Sequence, residues 1–139
     1  MFGSLDISTS ALMAQRTRLN VIAGNIANMQ ATRDADGNVS PFQRRVALLA
    51  TGNPAKGPNA PGVHVQKVML DSSPPRKVYE PGHPDAIQSG PDKGYVLYPN
   101  VDYSTEMINA LTAARAYEAN VTVTDVTKSM AAAAMRLMA

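Results

Sequence analysis

The N-terminal part of the chain carries apolar side chains at a spacing of seven residues. Four recur at that interval and a fifth falls three positions after the third, which gives the set Leu5, Leu12, Leu19, Ile26 and Ile22. Side chains at this spacing lie on one face of an α-helix, as at the a and d positions of a coiled coil. We therefore predict an N-terminal helix with one apolar face. Ser4 or Asp6 is expected to cap its start, and the polar run at positions 28–38 is expected to end it.

The C-terminal part, from Asp102 to position 137, contains neither glycine nor proline and is rich in alanine, methionine and leucine. It predicts one helix of roughly 50 Å, at about 1.5 Å per residue, with Asp102 as its N-terminal cap. One face is expected to form a seam through Met107, Leu111, Ala114, Tyr117, Val121 and Met130. A second stripe of apolar or small residues passes through positions 113, 116, 123, 130 and 137. Such a helix is expected to have more than one neighbour.

The middle of the chain is set apart by its prolines, since all 10 lie between Pro41 and Pro99. An interior proline costs a helix about 3 kcal/mol, so the two ends are free to form long helices and the middle is not. Short β-favouring runs occur at positions 42–49, 63–70, 77–79 and 95–98. Asp36 and Gly37 are a typical hairpin-turn pair, and positions 53–62 are expected to form an exposed, mobile loop.

These elements predict a mainly α fold with a small β part, in which the terminal helices pair as a coiled-coil-like hairpin. The division falls at residues 1–31 plus 101–139 for the helices and residues 32–100 for the middle segment. An alternative stays open, in which the apolar faces form only the core of a monomeric hairpin. Few charges follow Glu106 on the C-terminal helix, which is sparse for a surface exposed to water. Asn120 is interpreted as a buried polar residue that fixes helix register.

Charge and composition exclude several functions. The net charge of +2 gives no field strong enough to predict nucleic-acid binding. The absence of cysteine excludes disulfides, thiolate metal sites and a cysteine nucleophile. The N-terminus lacks the basic and apolar regions of a signal peptide, and no apolar run approaches the length of a membrane span.

Candidate chemistry is weak. His83 and Asp85, with His64 as a distant third, could bind a metal or act as an acid and base, but polar turn residues need no such role. The run at 34–38 resembles the start of a calcium loop and lacks the glutamate that such a loop requires. Arg44 and Arg45 are adjacent on a predicted strand, so they are expected to point to opposite faces. No catalytic residue, metal or cofactor is predicted, and the chain is not expected to be an enzyme.

Residues 11–28, ALMAQRTRLNVIAGNIAN, resemble the N-terminal motif of the flagellar axial (rod) protein family, with motif positions Asn20, Asn25, Ala27 and Asn28. Residues 78–86, 94–102, 106–109 and 115–121 resemble its proximal-rod members in order and spacing. Within these segments, the positions expected to set turn and register are Pro99, Asn100, Asp102 and Asn120. One departure concerns Ala31, where axial proteins commonly have threonine. Thr32 follows it here.

The resemblance implies an inner, assembly domain of paired terminal helices and a smaller β-rich outer part. It implies a structural subunit of the proximal rod of the bacterial flagellar basal body that transmits torque from the motor to the hook. Its implied partners are copies of itself and other rod proteins, with the inner-membrane ring and its adapter as further candidates. It also implies export through the flagellar type III apparatus without a cleaved signal, to a rod that crosses the periplasm.

Three other functions stay open from the sequence. The chain could be another flagellar rod or axial protein, or a coiled-coil adaptor that binds one helical partner. It could also be a small metal-dependent hydrolase that uses His83 and Asp85.

Overall fold

The computed structural model describes residues 2–54, 57 and 60–138. In chain order the elements are α1 (Phe2–Ala27), β1 (Arg45–Thr51), β2 (Val63–Leu70), β3 (Arg76–Tyr79), β4 (Tyr95–Tyr98) and α2 (Tyr103–Met138). The two long helices pack against each other, and the four strands form two separate antiparallel pairs, β1 with β2 and β3 with β4. The predicted class, mainly α with a small β part, is confirmed.

The sequence predicts the start of α2 correctly but not the start of α1. α1 begins at Phe2, so Ser4 and Asp6 lie inside its first turns and the predicted cap is wrong. Nothing in the preceding residues breaks a helix strongly enough to delay its start. α2 begins directly after Asp102, whose carboxylate accepts hydrogen bonds at 2.9 Å from the Thr105 backbone amide and at 2.5 Å from its hydroxyl. This cap is confirmed, because it satisfies an amide that has no partner within the helix.

The helix pair is antiparallel, since the C-terminal turn of α1 meets the N-terminal turn of α2. On α1, Ile22 is buried, while Leu5, Leu12, Leu19 and Ile26 are half-buried. On α2, the buried line passes through Glu106 and Ala113 and continues at the half-buried Asn120. The seam expected through Met107, Ala114 and Val121 lies one residue further, which is about 100° around the helix. α2 is therefore rotated so that its apolar side chains are only partly directed at α1.

The β1–β2 hairpin packs on α1. Its register pairs Arg45 with Leu70 at the base and Thr51 with Val63 at the other end, with an irregularity between Leu48 and Leu49. β2 has the predicted bounds, whereas β1 is displaced by a few residues from the predicted 42–49. Of the loop predicted at 53–62, residues 55, 56, 58 and 59 lie outside the described residues.

The β3–β4 hairpin pairs Arg76 with Tyr98 and Tyr79 with Tyr95, close to the predicted runs. Its Val96 is fully buried. Among the described residues, no Cα atom of its strands lies within 8 Å of a Cα atom of a helix or of the other sheet. The hairpin turn predicted at Asp36 and Gly37 is present, with Gly37 at a φ of 82°, where a side chain would be strained.

Candidate functional site

Asn25 joins the end of α1 to the start of β1. Its side-chain oxygen accepts a hydrogen bond at 2.9 Å from the Arg45 amide, and its side-chain NH₂ donates at 2.8 Å to the Arg45 carbonyl. Arg45 pairs with Leu70 of β2, but these two backbone groups face α1 instead. The amide of Asn25 therefore acts like one residue of a neighbouring strand. Asn25 is only 1% exposed, so both bonds form away from water.

Glu106 extends this contact to α2. One of its carboxylate oxygens accepts a hydrogen bond at 3.0 Å from the Asn25 side chain. The other accepts two from Arg44, at 2.9 Å from Nε and 2.6 Å from Nη2. Arg44 also reaches Asp71, at 3.4 Å, and so spans both strands at the base of the β1–β2 hairpin. Glu106 is 1% exposed, and a carboxylate that deep in the fold is stable only when its oxygens are bonded in this way.

The opposite end of the same hairpin is attached to α1 by Ser10. The Ser10 hydroxyl donates to the Ile7 carbonyl at 2.7 Å and accepts from the Val63 amide at 3.1 Å. The preceding Gly62 has a φ of 147°, and a Cβ placed on it would lie 2.7 Å from the Ser10 oxygen. α1 therefore contacts the hairpin at two points that are about 22 Å apart along the helix, at 1.5 Å per residue.

A second polar cluster attaches the loop before β4 to the segment that follows α1. The Asp85 carboxylate accepts hydrogen bonds from the Thr32 hydroxyl at 2.6 Å and from Arg33 Nε at 2.8 Å. The Arg33 hydrogen bond, and after it the Thr32 hydrogen bond, lower the pKa of the Asp85 carboxyl below its ordinary value. The Asp85 amide in turn donates to His83 Nδ1 at 3.1 Å, which closes the turn.

These bonds argue against the metal-dependent hydrolase. The Asp85 carboxylate is already occupied by Thr32 and Arg33, and His83 Nδ1 is an acceptor within its own turn. Within the described ranges, no group of three or more histidine and carboxylate side chains is placed to hold a metal ion. Asp34 accepts hydrogen bonds from the amides of Asp36 and Asn38, which is the geometry of a turn.

The remaining predicted motif residues fall in three kinds of place. Asn20 and Ala27 are exposed on α1, and the Asn28 side chain donates to the Gly24 carbonyl at 2.8 Å. Pro99 is fully buried before α2, whereas Asn100 is exposed. The Asn120 side chain donates at 2.7 Å to the Ala116 carbonyl of its own helix. Its predicted role in register stays a prediction.

The predicted seam residues of α2 fall into two groups by exposure. Ala114 and Tyr117 are half-buried, while Met107, Leu111, Val121 and Met130 are exposed. Other large apolar side chains of this helix are exposed as well, namely Ile108, Val123, Val126, Met135 and Leu137. A surface of this kind on one helix is typical of a site for association with other chains.

Sequence reasoning missed the partners of the buried polar residues. From the sequence, Glu106 is interpreted as an acidic residue in the first turn of a helix, where a surface carboxylate is favourable. Ser10 reads as an ordinary helix position. One feature of the sequence does indicate part of this cluster. Arg44 and Arg45 are adjacent on a predicted strand, and alternation along a strand correctly predicts that one arginine points inward and the other outward.

Comparisons with known proteins agree with this arrangement. A family model described as flagella basal body rod protein matches residues 5–33, which contain α1 almost completely. A second, described as flagellar basal body rod FlgEFG protein C-terminal, matches residues 92–137, which contain β4 and nearly all of α2. No helix in the described part of the chain is both long and apolar enough to cross a membrane.

Three curated relatives cover nearly the whole chain. The flagellar basal-body rod protein FlgC of Borreliella burgdorferi is 40% identical over 99% of this chain and 97% of its own. FlgC of Escherichia coli O6:H1 is 43% identical over 90% of this chain and 88% of its own. FlgC of Bacillus subtilis is 37% identical over 98% of this chain and 97% of its own. At this identity and coverage, the chain belongs to the FlgC family of flagellar basal-body rod proteins.

Proposed function

We propose that this chain is a structural subunit of the proximal rod of the bacterial flagellum and helps to transmit torque from the motor to the hook. The observation that carries the proposal is the exposed apolar surface of α2, on a chain whose relatives are basal-body rod proteins. Burying one such side chain contributes about 1.5 to 3 kcal/mol, so a few per subunit favour assembly strongly. Binding energy, rather than catalysis, is the basis of this function.

The helical ends and the middle segment of the chain would have different roles. Residues 1–31 and 101–139 would form the inner, assembly domain, because most of the exposed large apolar side chains among the described residues lie there, chiefly on α2. Residues 32–100 would form the outer part. The contacts that fix the β1–β2 hairpin to the helix pair support this division. They are made by Asn25, Glu106 and Arg44 and do not use the apolar surface of α2.

The partners would be copies of this chain and other rod proteins, with the inner-membrane ring and its adapter as further neighbours. The rod would cross the periplasm, and the chain would reach it through the flagellar type III export apparatus. What supports export in an extended form is the composition, which includes no cysteine and therefore no disulfide that would block unfolding.

The test compares two substitutions at Leu19, which is half-buried in the middle of α1. Leu19→Asp replaces a half-buried apolar side chain with a carboxylate, so apolar burial is lost and the charge is partly desolvated. Leu19→Met is nearly equal in volume and should cost less than about 1.5 kcal/mol. We expect the aspartate variant to be secreted without being incorporated, and the methionine variant to complete rods.

Both variants are expressed in a strain that lacks the natural protein. Secreted subunit, rod completion by electron microscopy and swimming are then measured for each. If Leu19→Asp builds normal rods, the helix contact is not required for assembly. If loss of the natural protein leaves rods intact, the proposed function is wrong.

A further inference from the structure

One enclosed oxygen atom of the helix pair has no hydrogen bond. Gln15 is half-buried on α1, and the fold encloses its side-chain Oε1 atom without a donor. Across the residues that the structure describes, it is the one enclosed side-chain oxygen or nitrogen atom in this state. Such an acceptor destabilises the folded chain, because the water that it bonded before folding is not replaced. A donor from a neighbouring side chain would remove this cost.

Gln15 lies on the side of α1 that faces α2. It precedes Ile22 by seven positions, so the two share one face of the helix. Ile22 is buried and lines a cavity together with Glu106 of α2. Asn25 is hydrogen-bonded to Glu106, and Gln15 lies ten positions, or about 15 Å, before Asn25. Because the helices are antiparallel, Gln15 is level with Ala116, ten positions after Glu106.

Asn120 carries a spare donor at this level. It continues the buried line of α2, and its side-chain Nδ2 donates at 2.7 Å to the Ala116 carbonyl. The NH₂ group therefore lies near the level of Gln15, and its second hydrogen has no acceptor among the described residues. Helical side chains lean toward the N-terminus of their own helix, so in an antiparallel pair Gln15 and Asn120 lean toward each other. The Thr124 hydroxyl, by contrast, has one hydrogen and donates it to the Asn120 carbonyl at 2.8 Å.

We propose that Asn120 donates its second side-chain hydrogen to Gln15 Oε1 and that this amide pair attaches the middle of α2 to α1. The bond keeps the hydrogen that Asn120 already donates to Ala116. The contact between Asn25 and Glu106 fixes only the start of α2, and Asn120 lies fourteen positions, or about 21 Å, beyond Glu106. Because the pair lies within one chain, it does not depend on the proposed function and stands if that function is wrong.

The amide pair determines which side of α2 is exposed beyond Asn120. Val123, Val126 and Met130 in this part of the helix are 49%, 53% and 63% exposed. A rotation of α2 by one residue position, about 100°, would turn some of this apolar surface toward α1. A helix that is held at two points resists such a rotation more than a helix held only at its start. A polar residue that fixes the register of a coiled coil acts in the same way.

One substitution made in two backgrounds tests the bond. Gln15→Met replaces the amide with an apolar side chain of similar length. In the unmodified chain it should lower the folding equilibrium constant, measured in urea titrations, by about threefold to tenfold, because Asn120 loses its acceptor. In the Asn120→Leu chain Gln15 has no donor, so the same substitution removes an unsatisfied carbonyl and should raise the constant. A rise in both backgrounds, or an equal loss in both, would overturn the proposal.

Further variants separate the pair from other effects. Asn20→Leu removes an exposed amide of α1 and should have the same effect with and without Asn120. Gln15→Asn with Asn120→Gln keeps both amides and their combined length, so the folding constant should recover from the loss caused by Gln15→Asn alone. Tyr117 is another half-buried donor near this level. If Tyr117→Phe, and not Asn120→Leu, reverses the sign of Gln15→Met, Asn120 is not the donor and the proposal is wrong.

Hydrogen exchange measured by NMR gives a direct reading that does not depend on urea titrations. The side-chain NH₂ of Asn120 should exchange several times more slowly in the unmodified chain than in Gln15→Met, whereas that of the exposed Asn20 should not change. Backbone exchange at Ala131, beyond Asn120, should become faster in Gln15→Met, while exchange at Ala110 near the start of α2 stays the same. Equal exchange of the Asn120 side chain in the two chains would contradict the amide pair.

Discussion

The two β-hairpins are attached to the helices in different ways. β1–β2 lies on α1 and is fixed at both ends, by Ser10 near Val63 and by Asn25 with Glu106 near Arg45. In the described structure no Cα atom of β3 or β4 lies within 8 Å of a helix Cα atom, and a loop residue, Asp85, joins this hairpin to the segment after α1. The first hairpin is therefore expected to unfold with the helices, and the second to open locally while the helices stay folded.

The difference also concerns the exposure of the bonded groups. Asn25 and Glu106 are each 1% exposed, so a lost partner leaves a buried polar group unsatisfied. Asp85 is also buried, with a side chain that is 4% exposed, but its partner Arg33 is 51% exposed, against 22% for Arg44, and can bond to water when Asp85 is replaced. Similar numbers of hydrogen bonds can thus differ widely in their effect on stability.

The largest effect is expected from Glu106→Ala. It removes the carboxylate that Asn25 and Arg44 share and leaves Arg44 with only the longer contact to Asp71. Breaking a buried ion pair on one side costs about 3 to 5 kcal/mol, so the free energy of unfolding should fall by that amount in urea titrations followed by circular dichroism. Glu118→Ala, on the exposed side of the same helix, should change it by less than about 0.5 kcal/mol. Equal effects would mean that the buried network does not join the hairpin to the helices.

This network also marks the limit of what the sequence predicts. Proline placement and apolar spacing predict the order and type of the elements, since both act locally. The position of Glu106 opposite Asn25 depends on how α2 is rotated on α1, which no local pattern determines. The buried line of α2 therefore lies one residue away from the seam that the sequence predicts, and the assembly role of its exposed residues stays a prediction. Asp85 was interpreted as a turn residue, which is correct for its backbone but omits its contacts with Thr32 and Arg33.

The next largest effect on the free energy of unfolding is expected at the end of the β1–β2 hairpin that contacts Ser10. Gly62→Ala introduces a Cβ at 2.7 Å from the Ser10 hydroxyl and at a φ of 147°, where a side chain is strained. We expect a loss of about 1 to 3 kcal/mol in the free energy of unfolding. Ser10→Ala combined with Gly62→Ala removes the contact with the Ser10 oxygen, leaves the Cβ atoms of Ser10 and Asn53 at 3.3 Å, and should recover part of that loss. No recovery would indicate that backbone strain alone, rather than the contact with Ser10, determines the effect.

Asp85→Asn should have a smaller and more local effect. It removes the charge that Arg33 pairs with while the side-chain shape is kept. Amide hydrogen exchange at Val78 and Val96, in β3 and β4, should become faster, while exchange at Leu48 in β1 and the urea midpoint should stay unchanged. Acceleration at Leu48 by the same factor would contradict the independence of the two hairpins.

The same attachment predicts a pH dependence. The pKa of Asp85 in the folded chain is lower than its ordinary value of 3.8, chiefly through the Arg33 hydrogen bond. The stability that ionised Asp85 gives to this attachment is therefore fully present at a pH above the ordinary pKa. It is lost as the pH falls through the lower folded pKa. The difference in exchange at Val96 between the unmodified chain and Asp85→Asn should be constant near neutral pH and should shrink below about 3.8. A difference that grows on acidification would reverse the assigned sign.

The smallest effect is expected from Gly24→Ala on α1. A Cβ at this position meets no atom within 4 Å, so the substitution should act through helix propensity alone and raise the free energy of unfolding by about 0.5 to 1 kcal/mol. Because α1 carries both attachments of the first hairpin, slow exchange at Leu48 should become slower by a matching factor. Exchange at Val96 should not change if the second hairpin opens on its own. Equal slowing at Leu48 and Val96 would show that both hairpins unfold together with the helices, and the comparison between them would then fail.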